Sequence, residues 1–227
     1  MLRTKVVCTL GPASSDPDTV LAMVRAGMNL ARVNMSHGTR DDHRRSMEAV
    51  RSAALESGRP VAILVDLAGP KIRVGELEEP IALEESAEVV MAPEDDVESG
   101  EIPITYEPLA SEIEVGDVVL LDDGLLELRC TGTVGDRTVL EVARGGLLKS
   151  RKGINLPTVA AKAPPLTEKD LSDLDFALGQ GVEYVGLSFV RRPEDVMDLK
   201  ERTRGQALVV AKIEKVQALH AIEDILA

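Results

Sequence analysis

Short apolar runs alternate with amphipathic segments in the first third of the chain. Three runs have the length and aliphatic content of buried strands: residues 5–10, 28–35 and 61–69. Two segments between them have a helical period and end near glycine: residues 14–27 and 39–58. This strand-helix-strand-helix-strand order predicts parallel strands that are covered by helices.

The alternation stops at about Val74 and resumes after about Asn155. The stretch between them is rich in Val, Leu, Glu and Gly and is broken by turn signals, which predicts a small all-β insert with a hairpin that turns near Gly135 and Asp136. After a proline-rich return, helices and strands alternate again: helices at 167–181, 192–205 and 215–227, and strands at 182–190 and 207–214.

Five strands of this kind, each followed by a helix, indicate part of a barrel. In a (β/α)8 barrel, functional residues gather at the carboxyl ends of the strands, but eight strands are needed to close it. We therefore predict an α/β fold, a partial TIM-type (β/α)8 barrel with an inserted small all-β barrel domain. The expected bounds are 1–73 and 156–227 for the barrel and 74–155 for the insert. The first and fifth strands would be left as apolar edges.

Composition narrows the classes of function. A formal net charge of -13 argues against a general nucleic-acid binder, so an anionic ligand must meet a local cluster of cations. No apolar run approaches the roughly 20 residues of a membrane helix, and the first ten residues have no leader-like apolar region. Cys8 and Cys130 lack metal-ligand or disulfide-framework spacing. We therefore expect a cytoplasmic protein without a membrane or nucleic-acid partner.

Polar side chains follow the second strand to its end. Because alternate residues of a strand share a face, Arg32, Asn34 and Ser36 should point one way while the intervening apolar residues point the other. A solvent-facing edge would explain this pattern, but a parallel barrel strand is exposed only near the mouth of the barrel. The pattern favours a functional role for Arg32.

The other strand ends add further charges. Lys212 and Glu214 should share a face of the fifth strand. They could form a structural ion pair, or Glu214 could bind a divalent cation while Lys212 neutralises developing charge. The third strand ends in Asp66, and DLAGPKIR then brings Lys71 and Arg73. Cations for phosphate and an oxygen ligand for Mg²⁺ are the residues that phosphoryl transfer requires. The chain has no Walker-type glycine loop, so side chains would have to hold a nucleotide.

These motifs together resemble the pyruvate kinase family. The resemblance extends from about residue 3 to the last residue and rests on TKVVCTLGPAS, GMNLARVNMSHG, VDLAGPKIRVG, LLDDGLLEL, SRKGINLP, LTEKDLSDLDFALGQGVEYVGLSFVR and VVAKIE. It implies a barrel that carries a β lid, and transfer of a phosphoryl group from phosphoenolpyruvate to ADP, giving pyruvate and ATP. It also implies a homo-oligomer, which is a homotetramer in the intact family.

The resemblance implies a role for each matching residue. Arg32 would bind the substrate phosphoryl group, Lys212 would stabilise the transition state, and Glu214 would bind Mg²⁺ or Mn²⁺. The nucleotide would contact Asn34, Met35, Ser36, His37, Arg73 and Lys152. A monovalent cation would be bound by Asn34, Ser36, Asp66 and the backbone of Leu67.

Several other residues allow two interpretations. His37 could stabilise a turn or contact the ligand. Ser188 lies at a strand end and could belong to the site itself, or it could pack or support the site from behind. Asp122 and Asp123 could simply form a hairpin turn of the lid.

Two departures from the family pattern change the expectations. The family's second metal carboxylate and its proton-relay threonine, which follow the match, do not occur in these 227 residues, so we expect a truncated form that is poorly active alone. Many members have glutamate and threonine where this chain has Lys71 and Leu67. We expect the ammonium group of Lys71 to replace K⁺, so that K⁺ is not required.

The sequence is also compatible with two other functions. One is a lyase of the phosphoenolpyruvate and pyruvate class, which would share Mg²⁺ and an enolate, but a lyase has no nucleotide for the β insert to cover. The other is a noncatalytic fragment that binds phosphate or nucleotide.

Overall fold

The first five elements alternate strand and helix, as the apolar pattern predicts. The computed structural model describes residues 4–70, 72–159 and 164–227. Its first elements are β1 (Val6–Leu10), α1 (Pro17–Ala26), β2 (Met28–Asn34), α2 (Arg40–Ser57) and β3 (Ala62–Asp66). The carboxylate of Asp16 accepts two backbone N–H bonds at the start of α1, and Gly27 ends that helix in the left-handed conformation.

The insert is a β structure with one short helix. Its elements are β4 (Ile81–Leu83), β5 (Glu88–Pro93), β6 (Ile102–Ile104), α3 (Leu109–Glu112), β7 (Val118–Leu121), β8 (Leu126–Val134), β9 (Arg137–Arg144), β10 (Gly146–Leu148) and β11 (Ile154–Asn155). Six strands form one sheet in the order β11-β7-β8-β9-β5-β6, and β10 pairs with β4. Val134 pairs with Arg137 across the predicted turn at Gly135 and Asp136, which confirms the hairpin.

Helix and strand then alternate again to the end of the chain. The elements are α4 (Glu168–Gly179), β12 (Tyr184–Leu187), α5 (Pro193–Thr203), β13 (Leu208–Ala211), α6 (Val216–His220) and α7 (Ile222–Leu226). The single final helix that the pattern predicted is wrong, because the backbone of Ala221 leaves helical geometry, at φ -107° and ψ 17°. Neither glycine nor proline marks this break. The fifth strand is also shorter than expected, so Lys212 and Glu214 lie in the loop that follows it.

The five barrel-type strands form one parallel sheet in sequence order, β1-β2-β3-β12-β13. Right-handed connections that always step to the next strand leave all helices on one face, as in a barrel. A doubly wound sheet would reverse its strand order and place helices on both faces. The predicted partial barrel is therefore confirmed. Its outer strands are β1 and β13, where Val7 and Leu208 are exposed.

The chain divides into two compact units, one formed by Met1–Pro70 with Pro164–Ala227 and the other by Lys71–Ala163. Each unit has its own apolar core among the described residues. Within the first unit, α4 begins with a reciprocal cap between Thr167 and Asp170. Asp170 is fully buried, and its second carboxylate oxygen accepts a hydrogen bond from the backbone N–H of Gly69, at 3.1 Å. No helix in the described part of the chain could span a membrane.

Candidate active site

The side chain of Asp66 lies at the centre of a charged cluster at the carboxyl ends of the strands. Its Oδ2 accepts a hydrogen bond from Nε of Arg32 at 2.7 Å and forms an ion pair with a terminal nitrogen of Arg32 at 2.5 Å. Nζ of Lys212 lies 3.0 Å from Oδ1 and 3.2 Å from Oδ2. Asp66 is only 2% exposed, and two cations compensate the cost of burying its charge.

Arg32 is held in place from both sides. One guanidinium nitrogen donates to the hydroxyl of Thr9 on β1 at 3.0 Å, while the others bind Asp66 on β3. The alternation that the sequence predicts is confirmed, because Ala31, Val33 and Met35 are buried. Arg32 keeps 30% of its side chain exposed, so it is only partly buried at the edge of this cluster.

Lys212 has three acceptors within reach. Besides Asp66, its ammonium donates to Oγ of Ser188 at 2.8 Å and lies 3.3 Å from Oε1 of Glu214. The hydroxyl of Ser188 in turn donates to the carbonyl of Leu67 at 2.6 Å. Lys212 and Glu214 thus form the ion pair that the sequence offered as one alternative. Both remain partly exposed, which leaves the functional alternative open.

Glu214 is also fixed by the turn that follows β12. Its Oε2 accepts a hydrogen bond from the backbone N–H of Phe189 at 3.0 Å. Phe189 has a positive φ of 56°, which is uncommon for a residue other than glycine. Nζ of Lys215 lies 5.5 Å from the centre of the Phe189 ring, and burial lowers the pKa of Lys215, with a further decrease from Arg191.

The turn after β2 contains the predicted residues from Asn34 to His37. Oδ1 of Asn34 accepts the backbone N–H of Ser36 at 3.0 Å, which closes a local turn. The backbone N–H of Met35 donates to the carbonyl of Asp66 at 3.0 Å, and its own carbonyl accepts from Nζ of Lys169 at 2.8 Å. Met35 is therefore a buried anchor of this turn, whereas His37 is exposed.

In the second unit, Arg73 and Lys152 lie on neighbouring backbone segments. Arg73 forms an isolated bridge with Gly153, and its guanidinium donates to the carbonyl of Arg151 at 2.6 Å. Lys152 pairs with Asp122 at 2.8 Å. Asp122 begins a short 3-10 turn through Gly124 that connects β7 to β8, so the turn interpretation of this motif is confirmed.

The donors available for metals are few. The described residues contain no group of three or more His, Cys, Asp or Glu side chains that could hold a metal ion. Mg²⁺ is commonly bound by only one or two carboxylates together with substrate oxygens. Glu214, partly exposed beside two cations that could bind the substrate, fits that mode of binding. Lys71, the predicted replacement for K⁺, lies outside the described residues.

Some contributing residues were not identified from the sequence. These are Thr9, which holds Arg32; Gly186, whose missing side chain leaves room for Asp66; and Lys169, which anchors Met35. Ser188, for which the sequence left a supporting role open, binds Lys212. A glycine inside an apolar strand was the one available signal, since it often marks a close approach of other atoms. The remaining contacts depend on strand register, which the sequence pattern does not specify.

Known proteins resemble this chain over its whole length. The family profile described as "Pyruvate kinase, barrel domain" matches residues 1–227. The chain is 43% identical to the pyruvate kinase of Corynebacterium efficiens, over 98% of this chain and 48% of that protein. It is also 40% identical to the pyruvate kinase of Geobacillus stearothermophilus, over 99% of this chain and 40% of that protein. The chain thus spans about half the length of these curated relatives. The chain belongs to the pyruvate kinase family.

Proposed function

We propose that this chain supplies the phosphoryl-binding part of a pyruvate kinase, which transfers a phosphoryl group from phosphoenolpyruvate to ADP. The convergence of Arg32 and Lys212 on Asp66 supports this proposal most directly. In this reaction the phosphoryl group leaves the enol oxygen of phosphoenolpyruvate and bonds to an oxygen of the β-phosphate of ADP. The remaining enolate takes up a proton and becomes pyruvate.

The two cations have separate roles in the proposal. Arg32 is anchored by Asp66 and Thr9, so its exposed portion can meet the phosphoryl oxygens in a defined orientation. Lys212 is a compact positive charge that stabilises the phosphoryl group in flight and the enolate oxygen. Positioning and charge neutralisation of this kind account for most of catalysis in phosphoryl transfer.

Glu214 is the proposed protein ligand of Mg²⁺ or Mn²⁺, with substrate oxygens completing the coordination. The bound ion would neutralise negative charge on the substrates. In the described residues Glu214 already binds Lys212 and the backbone of Phe189, so its carboxylate is held in one orientation. A single partly exposed carboxylate predicts weak metal binding and low turnover for the 227-residue chain.

For the nucleotide, we assign binding to the turn from Asn34 to His37 and to the cations Arg73 and Lys152. The short turn presents polar groups, and the two cations offer charge to phosphate. For a monovalent cation, the proposed oxygens belong to Asn34, Ser36, Asp66 and the carbonyl of Leu67.

A single-turnover experiment tests the function despite low turnover. The chain, in excess, is mixed with Mg²⁺, ADP and phosphoenolpyruvate labelled in its phosphoryl group, and labelled ATP is measured. We expect transfer that is lost in Lys212→Met, together with phosphoenolpyruvate binding that is lost in Arg32→Met. Binding without transfer would favour a noncatalytic binding fragment, and release of the label in the absence of ADP would favour a different reaction.

The role of Lys71 is tested by changing the cation in the same assay. Replacing K⁺ with tetramethylammonium should leave the transfer rate of the chain unchanged, because an ammonium group already supplies the charge. Lys71→Glu should make transfer depend on K⁺. A collapse of the wild-type rate without K⁺ would contradict this proposal.

A further inference from the structure

The turn after β12 contacts both of the charged residues that follow β13. Ser188 binds the ammonium of Lys212, and the backbone N–H of Phe189 binds Glu214. We propose that Ser188 is a positioning residue, whose hydroxyl holds the ammonium of Lys212 in the orientation that phosphoryl transfer requires. The inference rests on the proposed function, since it assigns a task to a residue behind the same site.

The hydroxyl of Ser188 has a defined orientation. Its single hydrogen is directed to the carbonyl of Leu67, at 2.6 Å, rather than to Oδ1 of Asp66, at 3.4 Å. A hydroxyl that donates to a carbonyl keeps its lone pairs for an incoming donor, and that donor is Nζ of Lys212 at 2.8 Å. Ser188 is 2% exposed, so water does not compete freely for these bonds.

The ammonium of Lys212 donates hydrogen bonds to two side chains and forms an ion pair with a third. These partners are Asp66, Ser188 and Glu214, and each belongs to a different strand end. A lysine side chain otherwise has many rotamers, so three fixed partners restrict its head group to a small volume. Without the Ser188 hydroxyl, one N–H loses its partner and the ammonium can move between the two carboxylates.

The turn is also held by packing that does not involve the hydroxyl. A β-carbon added to Gly69 would lie 3.2 Å from Cβ of Ser188 and 3.0 Å from the Phe189 ring, so the Gly69 backbone already packs closely against the turn. Asp170 in turn holds the N–H of Gly69. Removing the hydroxyl of Ser188 also removes its bond to the carbonyl of Leu67, but this packing should keep the backbone in place, so the main effect should fall on Lys212.

The test compares Ser188→Ala with Ser46→Ala. Ser46 is a matched control because its hydroxyl is also buried and donates to a backbone carbonyl, that of Asp42, at 2.9 Å. We expect Ser188→Ala to slow single-turnover phosphoryl transfer about tenfold or more, because misplacement of a catalytic group is costly. Phosphoenolpyruvate binding should change less than about threefold, since a change in the transition state alone leaves ground-state binding intact.

A further measurement separates positioning from a general structural defect. In the chain without substrate, acetic anhydride should label Lys212 several-fold faster in Ser188→Ala than in Ser46→Ala, as measured by mass spectrometry. If Ser188→Ala does not fold, Ser188→Cys replaces it, since a thiol of similar size donates and accepts weakly.

The outcomes distinguish the two proposals. If the wild-type chain transfers no phosphoryl group but Lys212 labelling rises in Ser188→Ala, the proposed function fails while the positioning contact stands. Unchanged labelling and an unchanged transfer rate in Ser188→Ala would overturn the positioning role.

Discussion

Gly186 on β12 is paired with Asp66 on β3, and a β-carbon on Gly186 would lie 3.2 Å from Oδ1 of Asp66. The space that a side chain would occupy is therefore used by a buried carboxylate. Because Arg32 and Lys212 both bind that carboxylate, it has little freedom to move away. A glycine in a buried strand thus determines where two cations of the site meet.

Gly186→Ala should weaken the site and the fold together. The added methyl group must push the tethered Asp66, so we expect a loss of about 1–2 kcal/mol of unfolding free energy, as for other small overpacking changes. Phosphoenolpyruvate binding should weaken as well. Urea unfolding measures the change in unfolding free energy, and calorimetry measures the change in phosphoenolpyruvate binding. Gly179→Ala at the end of α4 is the control, since its β-carbon would meet no other atom within 4 Å, and a similar loss there would contradict the explanation.

Arg32→Met should remove phosphoenolpyruvate binding and also destabilise the chain. Asp66 would keep Lys212 but lose its Arg32 contacts, so we expect a cost of about 1–3 kcal/mol, below that of a fully buried pair because Arg32 is partly exposed. Arg25→Met is the control, because the pair of Arg25 with Glu56 is well exposed and should contribute less than about 1 kcal/mol. Equal effects of the two changes on binding would be inconsistent with the assigned role of Arg32.

His43 should make the stability of the chain depend on pH. Burial lowers its pKa below the ordinary 6.5, with a further decrease from Lys169, while Asp173 and Asp42 oppose the shift. Below pH 6.5, His43 binds a proton more readily in the unfolded chain than in the folded chain. The contribution of the neutral, buried imidazole to the free energy of unfolding is therefore complete above pH 6.5 and is lost as the pH falls towards the lowered pKa.

The measurement is urea unfolding at pH 7.5 and pH 5.5 for the wild type and His43→Gln. The wild type should lose more stability between these two pH values, because the variant lacks the titrating group. His220→Gln, at an exposed position, should retain the wild-type difference. Identical pH dependence in the wild type and His43→Gln would show that burial of the imidazole has no such effect.

Lys152→Met should weaken ADP binding if the second unit holds nucleotide phosphate. A tenfold loss corresponds to about 1.4 kcal/mol, which lies near the contribution of one charge-assisted hydrogen bond. Arg151→Met is a matched control from the adjacent position, because Arg151 forms an exposed ion pair with Glu76. Calorimetry with ADP and Mg²⁺ measures both variants, and equal losses would indicate a general charge effect rather than a site.

The sequence pattern predicted what depends on local periodicity. Alternation along β2 correctly separated Arg32 from the buried Val33, and apolar runs located all five strands of the parallel sheet. The roles assigned to site residues from the resemblance stay predictions. Contacts that depend on strand register, such as Lys212 with Ser188, could not be derived, because a shift of one residue would change every partner. The break at Ala221 had no local signal either.

Asp170 joins the two places where the chain leaves and re-enters the first unit. One carboxylate oxygen caps α4 through Thr167, and the other holds Gly69 just before the second unit begins. Residues of the first unit therefore connect the two chain segments between which the second unit is inserted. We therefore expect that a short glycine-serine linker in place of 71–163 preserves the circular dichroism spectrum of a strand-helix fold, which would make the second unit replaceable.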